Sequence, residues 1–475
     1  VKKSLLIRNA QIYRDSYAGQ WQERLFDIRC SGGAITAIAP SLTAAPGEQV
    51  IDAGGGVLLP GLWDHHIHLF SLAARAHSLH CGPPTVSDTG QLQQLLQRAP
   101  GSGWIRGMAY HESVAGLLNR DQLDSWVNDR PLRIQHRSGK MWFLNSAAVE
   151  LLAVEQHSAL EGIDCDQQGR PSGRLFRMDS WLRAQLAHNS ELNISATSNM
   201  LAGFGVTGIS DATATNSAAT QQLYAELIAD GQLLQQVLLM GDASLTQMIS
   251  PGLQRGPLKI LLDDAALPDF EQLKLQIDAA HQQLRPVAIH CVTTVELVFA
   301  LSALADCAAG MGDRIEHASV TDSTVIALLA ASDVTVVTQP NFIAERGDQY
   351  AVDFAVADYD TLYRGSSLLD AGIALAASTD APFGNPDPWR AMVAAVSRSS
   401  ASGTVLGAGE RVSPEQALKM FTTDARDPGG VMRTIAEGGD ANLCLLDRPW
   451  HEARLRLHSD DVVLTVAAGQ IIYQK

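Results

Sequence analysis

The chain has 475 residues, enough for a large core and for about three average domains, or fewer if one is an α/β barrel of roughly 250 residues. Hydrophobic residues make up 46%, charged residues 18% and aromatic residues 6%, which excludes wholesale disorder. Lys plus Arg number 35 against 51 Asp plus Glu, and the net charge of −16 makes nucleic acid and anionic membrane surfaces poor partners.

Taken in chain order, the first elements are short β-type runs: Leu5 to Arg8, Leu25 to Ile28, and Ala34 to Ile38 after Gly32-Gly33. The apolar run Leu5-Leu6-Ile7 is too short for a signal core, so Asn193-Ile194-Ser195 has no secretory context as a glycosylation acceptor. From Val57 onward, apolar runs alternate with helix-length segments, the grammar of β/α units. The runs are Val57 to Trp63, Val206 to Ser210, Gln236 to Met240, Leu258 to Leu262, Pro286 to Ile289, Arg314 to Glu316, Val334 to Thr338 and Ile373 to Ala377. The stretch Val287 to Ala305 is broken by His290 and Glu296, so no membrane span is expected. Short β-runs return at Ala441 to Leu446, Val462 to Val466 and Gln470 to Tyr473. This order predicts an α/β fold: a (β/α)8 TIM barrel over 57–424, an inserted subdomain at about 75–200, and a small composite β-sandwich from 1–56 and 425–475. The cysteines Cys30, Cys81, Cys165, Cys291, Cys307 and Cys444 form no C-x-x-C pair and read as reduced thiols of a cytoplasmic protein.

Barrel enzymes build their sites from strand C-terminal ends, and polar residues collect there. The first strand runs into Asp64-His65-His66-Ile67-His68, where residues two apart share a face, so His66 and His68 can reach one metal ion. A histidine pair beside a turn is ambiguous alone. Here it recurs with His290 after the fifth strand, His317 after the sixth, Ser378-Thr379-Asp380 after the eighth, and Lys259 within the fourth.

This set resembles the amidohydrolase superfamily of metal-dependent hydrolases. The similarity extends to the branch, amidohydrolase family 3, that includes N-substituted formamide deformylase and YtcJ-like proteins. Its motifs resemble Leu59-Pro60-Gly61-Leu62-Trp63-Asp64, Gly103-Trp104-Ile105-Arg106-Gly107 with Glu112, Asn145-Ser146-Ala147-Ala148, Gly205-Val206-Thr207-Gly208, Gln339-Pro340, and Ser366 to Gly372 running into Ser378-Thr379-Asp380-Ala381-Pro382. Two departures fall where substrate contacts are expected: Leu262-Asp263-Asp264-Ala265 replaces the usual Asp-Gly-Ser, and Ser138-Gly139-Lys140 carries Lys where the family has His.

The resemblance implies one or two divalent ions, zinc first, held by His66, His68, Lys259, His290, His317 and Asp380. Lys259 would be carboxylated to a bridging carbamate, a metal-activated hydroxide would attack a small amide, and Asp380 would be the catalytic base. Lys140, Arg137 and His136 are the specificity candidates, with Tyr110, Trp142 and Phe383 as apolar walls. A solvated cationic loop and ordinary aromatic packing are the competing readings of these residues. The expected partner is a small molecule, with a homodimer as the expected assembly.

Other signals are weaker. His111-Glu112 lacks a second histidine, since position 115 is Ala; Gly54-Gly55-Gly56 precedes a strand; Cys291 should face away from His290; and Cys81 lies far from any strand end of the barrel. Two other readings stay open: a mononuclear deaminase, for which Glu296 lies six residues from His290, and a non-catalytic binding protein on the same scaffold.

Overall fold

The computed structural model describes residues 4–14, 24–75, 78–186, 193–247, 250–307 and 312–475; Lys2 and Lys3, and positions 76–77 and 187–192 of the expected insertion, lie outside them. Two compact units are present, Val1–Leu69 with Ile194–Lys475, and Phe70–Asn193.

In the first unit, β1 (Leu5–Ile12), β2 (Leu25–Ser31), β3 (Ala34–Ala39), β4 (Gln49–Asp52) and β5 (Val57–Pro60) precede β6 (Leu62–Ile67). The run expected as one barrel strand, Val57 to Trp63, is thus two strands divided at Gly61. Its first half pairs with β1, and its second half enters the barrel. The change of partner falls at Gly61, where glycine is required because a Cβ would stand 2.3 Å from the Thr207 side chain.

The second unit holds β7 (Leu79–His80), β8 (Ile105–Tyr110), β9 (Leu132–His136), β10 (Met141–Leu144), β11 (Ile163–Cys165) and β12 (Pro171–Phe176), hydrogen-bonded in the order β11-β12-β10-β9-β8-β7. It has apolar clusters of its own, one built on Leu92, Leu123, Ile134 and Phe143. Asn145 caps the helix Ser146–Leu151 and bonds the backbone of Val127, Arg130 and Leu132, giving that family-like motif a folding role.

Back in the first unit, β13 (Val206–Asp211), β14 (Gln236–Gly241), β15 (Leu253–Leu261), β16 (Val287–Cys291), β17 (Arg314–His317), β18 (Thr335–Thr338) and β19 (Ala374–Ala377) follow β6 as a parallel series. Helices alternate with most of these strands, and the bonds His68 N–H to Ala381 O (2.8 Å) and Asp380 N–H to His66 O (3.0 Å) join the last strand's end to the first. The architecture is a (β/α)8 TIM barrel. Nearly every strand position is buried, as expected for a parallel sheet covered on both faces. The chain ends in β20 (Leu443–Leu446), β21 (Val462–Ala467) and β22 (Gln470–Gln474), which join β5, β1, β2 and β3 in one mixed sheet, with β4 alongside β1. Leu5, Ile7 and Ile28 from one chain end share an apolar cluster with Leu445, Leu464 and Val466 from the other. Among the described residues no helix is long and apolar enough to cross a membrane.

The strand pair carrying the histidine motif is tightly keyed. Gly208 of β13 sits opposite Trp63, whose indole N–H donates to Ser210 Oγ at 2.9 Å, and a Cβ on Gly208 would stand 2.1 Å from the ring. Gly208→Ala is expected to cost about 1–3 kcal/mol by overpacking, read from a denaturant midpoint; an unchanged midpoint would show that the ring can move aside.

Candidate metal centre

Extended geometry at the end of β6 puts Asp64, His66 and His68 on one side and turns His65 away, toward Thr423 Oγ1 at 3.2 Å. Asp64 is fully buried and receives the Thr379 backbone N–H (3.1 Å) and hydroxyl, while burial pushes its carboxyl up to about 7. That contact secures the turn that carries Asp380.

His66, His68 and Asp380 have ligand atoms within 4.8 Å of one another. His66 Nε2 lies 3.6 Å and His68 Nε2 3.4 Å from Asp380 Oδ1, an oxygen buried without a hydrogen-bond partner. The His66 ring centroid is 4.8 Å from that of His317, and His317 is 4.5 Å from His290, so one cluster takes residues from four strand ends. Lys259 is buried nearby with its Nζ unpartnered, and its charge acts on His66, His290 and His317.

Hydrogen bonds on the far side of the rings decide the tautomers of His317 and His66. Gln339 gives its amide hydrogens to Val337 O (3.3 Å) and Ser378 Oγ (2.9 Å), so its oxygen faces His317 Nδ1 at 2.7 Å. That nitrogen must donate, which leaves His317 Nε2 with a lone pair. His66 Nδ1 likewise donates to Glu316, and His68 Nδ1 pairs with Thr213 Oγ1 at 2.8 Å. Burial opposes ionisation of Glu316, but Arg314, Lys259 and His66 outweigh it and hold the carboxyl well below its usual range. Arg314 grips Glu316 through Nε at 2.8 Å and donates to His65 O at 2.7 Å.

Burial, reinforced by Lys259, lowers His66 to about 3; burial also lowers His317, and takes His290 well below its usual value. Neutral imidazoles are the ligating form. Burial disfavours the Asp380 anion, yet His68, at 3.4 Å, and the His66 and His317 rings hold its carboxyl below the usual range. His66 Nε2 and Asp380 Oδ1 are therefore two acceptors turned toward each other with no proton between them. A cation satisfies that arrangement, so these residues fit a divalent metal.

The backbone is strained at two of the same positions. His317 (φ 73°) and Asp380 (φ 53°) adopt the left-handed region, at a cost of order 1–3 kcal/mol each. The strand-end bonds hold them there.

Of the specificity candidates, Phe383 lies beside the cluster, its ring edge-on to His68 at 5.5 Å. The others belong to the inserted unit. Tyr110, expected as a wall, is instead fully buried there, its hydroxyl donating to Gly116 O at 2.6 Å. Trp142 is buried as well and donates to Asp179 Oδ1 at 2.8 Å, so both rings pack in that unit's core. Arg137 and Lys140 are exposed on the turn between β9 and β10, where His136 pairs with Glu112 at 2.8 Å. His111 caps the short helix Glu112–Ala115 and Cys81 is a buried thiol that burial pushes up to about 12. Cys291 is buried, its thiol against Glu296 O at 3.7 Å.

Glu296 is spent on structure. Its two oxygens accept N–H bonds from Asp264 (3.0 Å), Val292 (2.6 Å) and Thr293 (3.0 Å), which removes the carboxylate that a deaminase reading would need. Asp263, in the segment that departs from the family pattern, caps a short turn by accepting from Ala265 N–H at 3.3 Å.

Sequence reasoning missed Glu316, Arg314 and Thr213, and took Gln339 only as a motif. Arg314 and Glu316 stand two apart on a strand, so a cation and a carboxylate share one face; that spacing was the available signal.

A family model described as the amidohydrolase family matches residues 49–473. The chain is similar to N-substituted formamide deformylase of Arthrobacter pascens, at 25% identity over 94% of this chain and 95% of that protein. Two solved structures share the fold. An uncharacterized metal-dependent hydrolase from Pyrococcus horikoshii OT3 aligns with a TM-score of 0.74 at 20% identity, covering 94% of this chain and 98% of that one. Another from Pyrococcus furiosus gives 0.71 at 20% identity, over 94% and 99%.

Proposed function

From the premise that this chain belongs to the amidohydrolase family and shares its fold with metal-dependent hydrolases, we propose that it hydrolyses an amide or related C–N bond of a small molecule. The substrate classes are N-acyl, formamide-type and cyclic amides. The name of its relative, N-substituted formamide deformylase, supports the formyl amide among them. The observation that carries the reading is the facing pair of acceptors, His66 Nε2 and the unpartnered Asp380 Oδ1, at 3.6 Å.

His66, His68 and Asp380 would hold one divalent ion, and His290 with His317 a second; nitrogen and carboxylate donors suit zinc. Ions bound there supply a water acidic enough to ionise near neutral pH and a Lewis acid for the carbonyl. Asp380 accepts the proton of the attacking water and returns it to the departing amine. Gln339, Thr213 and Glu316 hold the three rings against rotation. Lys259 is brought to about 8, chiefly by burial, so a neutral fraction exists at physiological pH. That amine can add CO2, forming an N–C bond and releasing one proton, and the resulting carbamate would supply two oxygens sharing one negative charge where an ammonium would repel a cation.

Elemental analysis of protein purified without chelator, with assays on N-formyl and N-acyl amines, tests the reading. About two zinc ions per chain and amine release are expected, with His66→Ala and Lys259→Ala each losing metal. Absence of metal after reconstitution, with no turnover, would sink it.

A further inference from the structure

The helix Asn341–Asp353 follows β18 and carries one arginine, Arg346. Its guanidinium carbon lies 3.8 Å over the Phe342 ring, and Nη2 donates to Phe383 O at 2.9 Å. Phe383 in turn gives its own N–H to Asp380 O at 2.8 Å and sets its ring against His68. The cation is thus tied to the turn that presents Asp380.

Its partners are few. A guanidinium has five N–H donors, and among the described residues Arg346 directs one of them to protein, at Phe383 O. Other arginines buried in this unit make more bonds to protein: Arg314 makes two to Glu316 and one to His65 O, Arg285 bonds four carbonyls, and Arg398 bonds three. Arg364, from the neighbouring loop, has Glu410. Among the described residues no carboxylate comes within ion-pair distance of Arg346. Asp380 and Glu345 act on it from farther away, and Glu345 Oε1 already accepts from Asn385 N–H (2.9 Å) and Asn341 Nδ2 (3.3 Å). Arg346 is half-buried as a residue, and Phe342 fixes the plane of its fork.

We infer that Arg346 recognises an anionic group, a carboxylate above all, on the molecule that the His66, His68 and Asp380 cluster acts upon. The substrate is then an amide bearing a carboxylate, such as an N-acyl amino acid, rather than a neutral N-substituted amide. This deepens the amide-hydrolase reading and rests on it for the bond that is broken. The physical basis is a fork already oriented for bidentate contact, so little side-chain entropy is lost when the anion arrives.

The test uses N-formyl and N-acetyl amino acids, each paired with the amine derivative that lacks only the carboxylate, for example N-formylphenylalanine and N-formylphenethylamine. Steady-state kinetics are run on zinc-reconstituted full-length protein. Calorimetric binding of the same pairs is measured on the Asp380→Asn protein, with and without Arg346→Met and Arg346→Lys. Acids are expected to be favoured about tenfold or more in kcat/KM and in Kd. Arg346→Met should abolish that preference while leaving the neutral partners within about twofold, and Arg346→Lys should fall between. No preference for any acid, or equal weakening of acid and neutral partner by Arg346→Met, would overturn the inference and leave Arg346 as a tether for Phe383. Preference in binding without turnover of any pair would uphold anion recognition and sink amide hydrolysis. Turnover indifferent to Arg346 would do the reverse.

Discussion

Asp380→Asn is expected to lower kcat by roughly 10²–10⁴-fold, the usual worth of a positioned acid–base group. The amide matches the carboxylate in shape, so the turn held by Asp64, Thr379 and the His66 carbonyl should survive. What disappears is the basic oxygen. Asp380 Oδ1 has no hydrogen-bond partner and stands between two imidazole nitrogens, so no protein donor competes for the lone pair that the proposed base would use. His66 and His68 remain as ligands, and metal content should stay within about twofold of wild type. The pair of measurements is stopped-flow or steady-state kcat beside metal analysis. Retained kcat would remove Asp380 as the base, whereas lost metal with lost rate would make it a ligand first.

Glu316→Gln should act on stability and metal affinity together, without Glu316 touching substrate. The native carboxylate takes His66 Nδ1–H and two guanidinium N–H bonds, at 2.8 and 3.2 Å, all in a fully buried place. A glutamine leaves the Arg314 charge buried beside a neutral group, and breaking such a pair costs about 3–5 kcal/mol. The amide also offers one oxygen where the carboxylate offered two to these three donors. If the oxygen stays with Arg314, the NH2 meets His66, which must then accept at Nδ1 and carry its proton on Nε2. That proton points at Asp380, where a lone pair is needed, and metal affinity should fall by about 10–100-fold. Denaturant titration of metal-free protein reads the first effect and zinc titration the second. If stability falls and affinity does not, the glutamate supports the fold and leaves the tautomer alone. The double replacement Arg314→Met with Glu316→Met should recover part of the lost stability, since no charge then remains buried alone.

The barrel and the candidate ligands were legible in the sequence for a physical reason. A covered parallel strand must be apolar along its length, so each polar residue stands out where the run ends. His66, His68, His290, His317 and Asp380 were visible in that way, and Lys259 was conspicuous as a cation inside a run. Strand limits were less legible. Val57 to Trp63 reads as one strand because hydropathy is continuous across Gly61, while its two halves pair with different strands, β1 and β13, the second of them far along the chain.

Tyr110 and Trp142 show the opposite failure. An aromatic side chain fits a pocket wall and a core equally well, and the hydrogen bonds to Gly116 and Asp179 that mark these two as core residues depend on the tertiary fold. Arg346 escaped notice because an arginine on a helix normally lies in solvent; what sets it apart is its contact with Phe342 and Phe383 and the lack, among the described residues, of a carboxylate in reach.

By itself the sequence determined the fold class, the family resemblance and the residue types able to bind a metal, since these follow from patterns along the chain. Only the tertiary structure decided which ring nitrogen faces Asp380, that Glu296 is used as a cap and that Glu316 orients His66. Each of these depends on hydrogen-bond geometry between strands and loops that no periodicity in one chain can express.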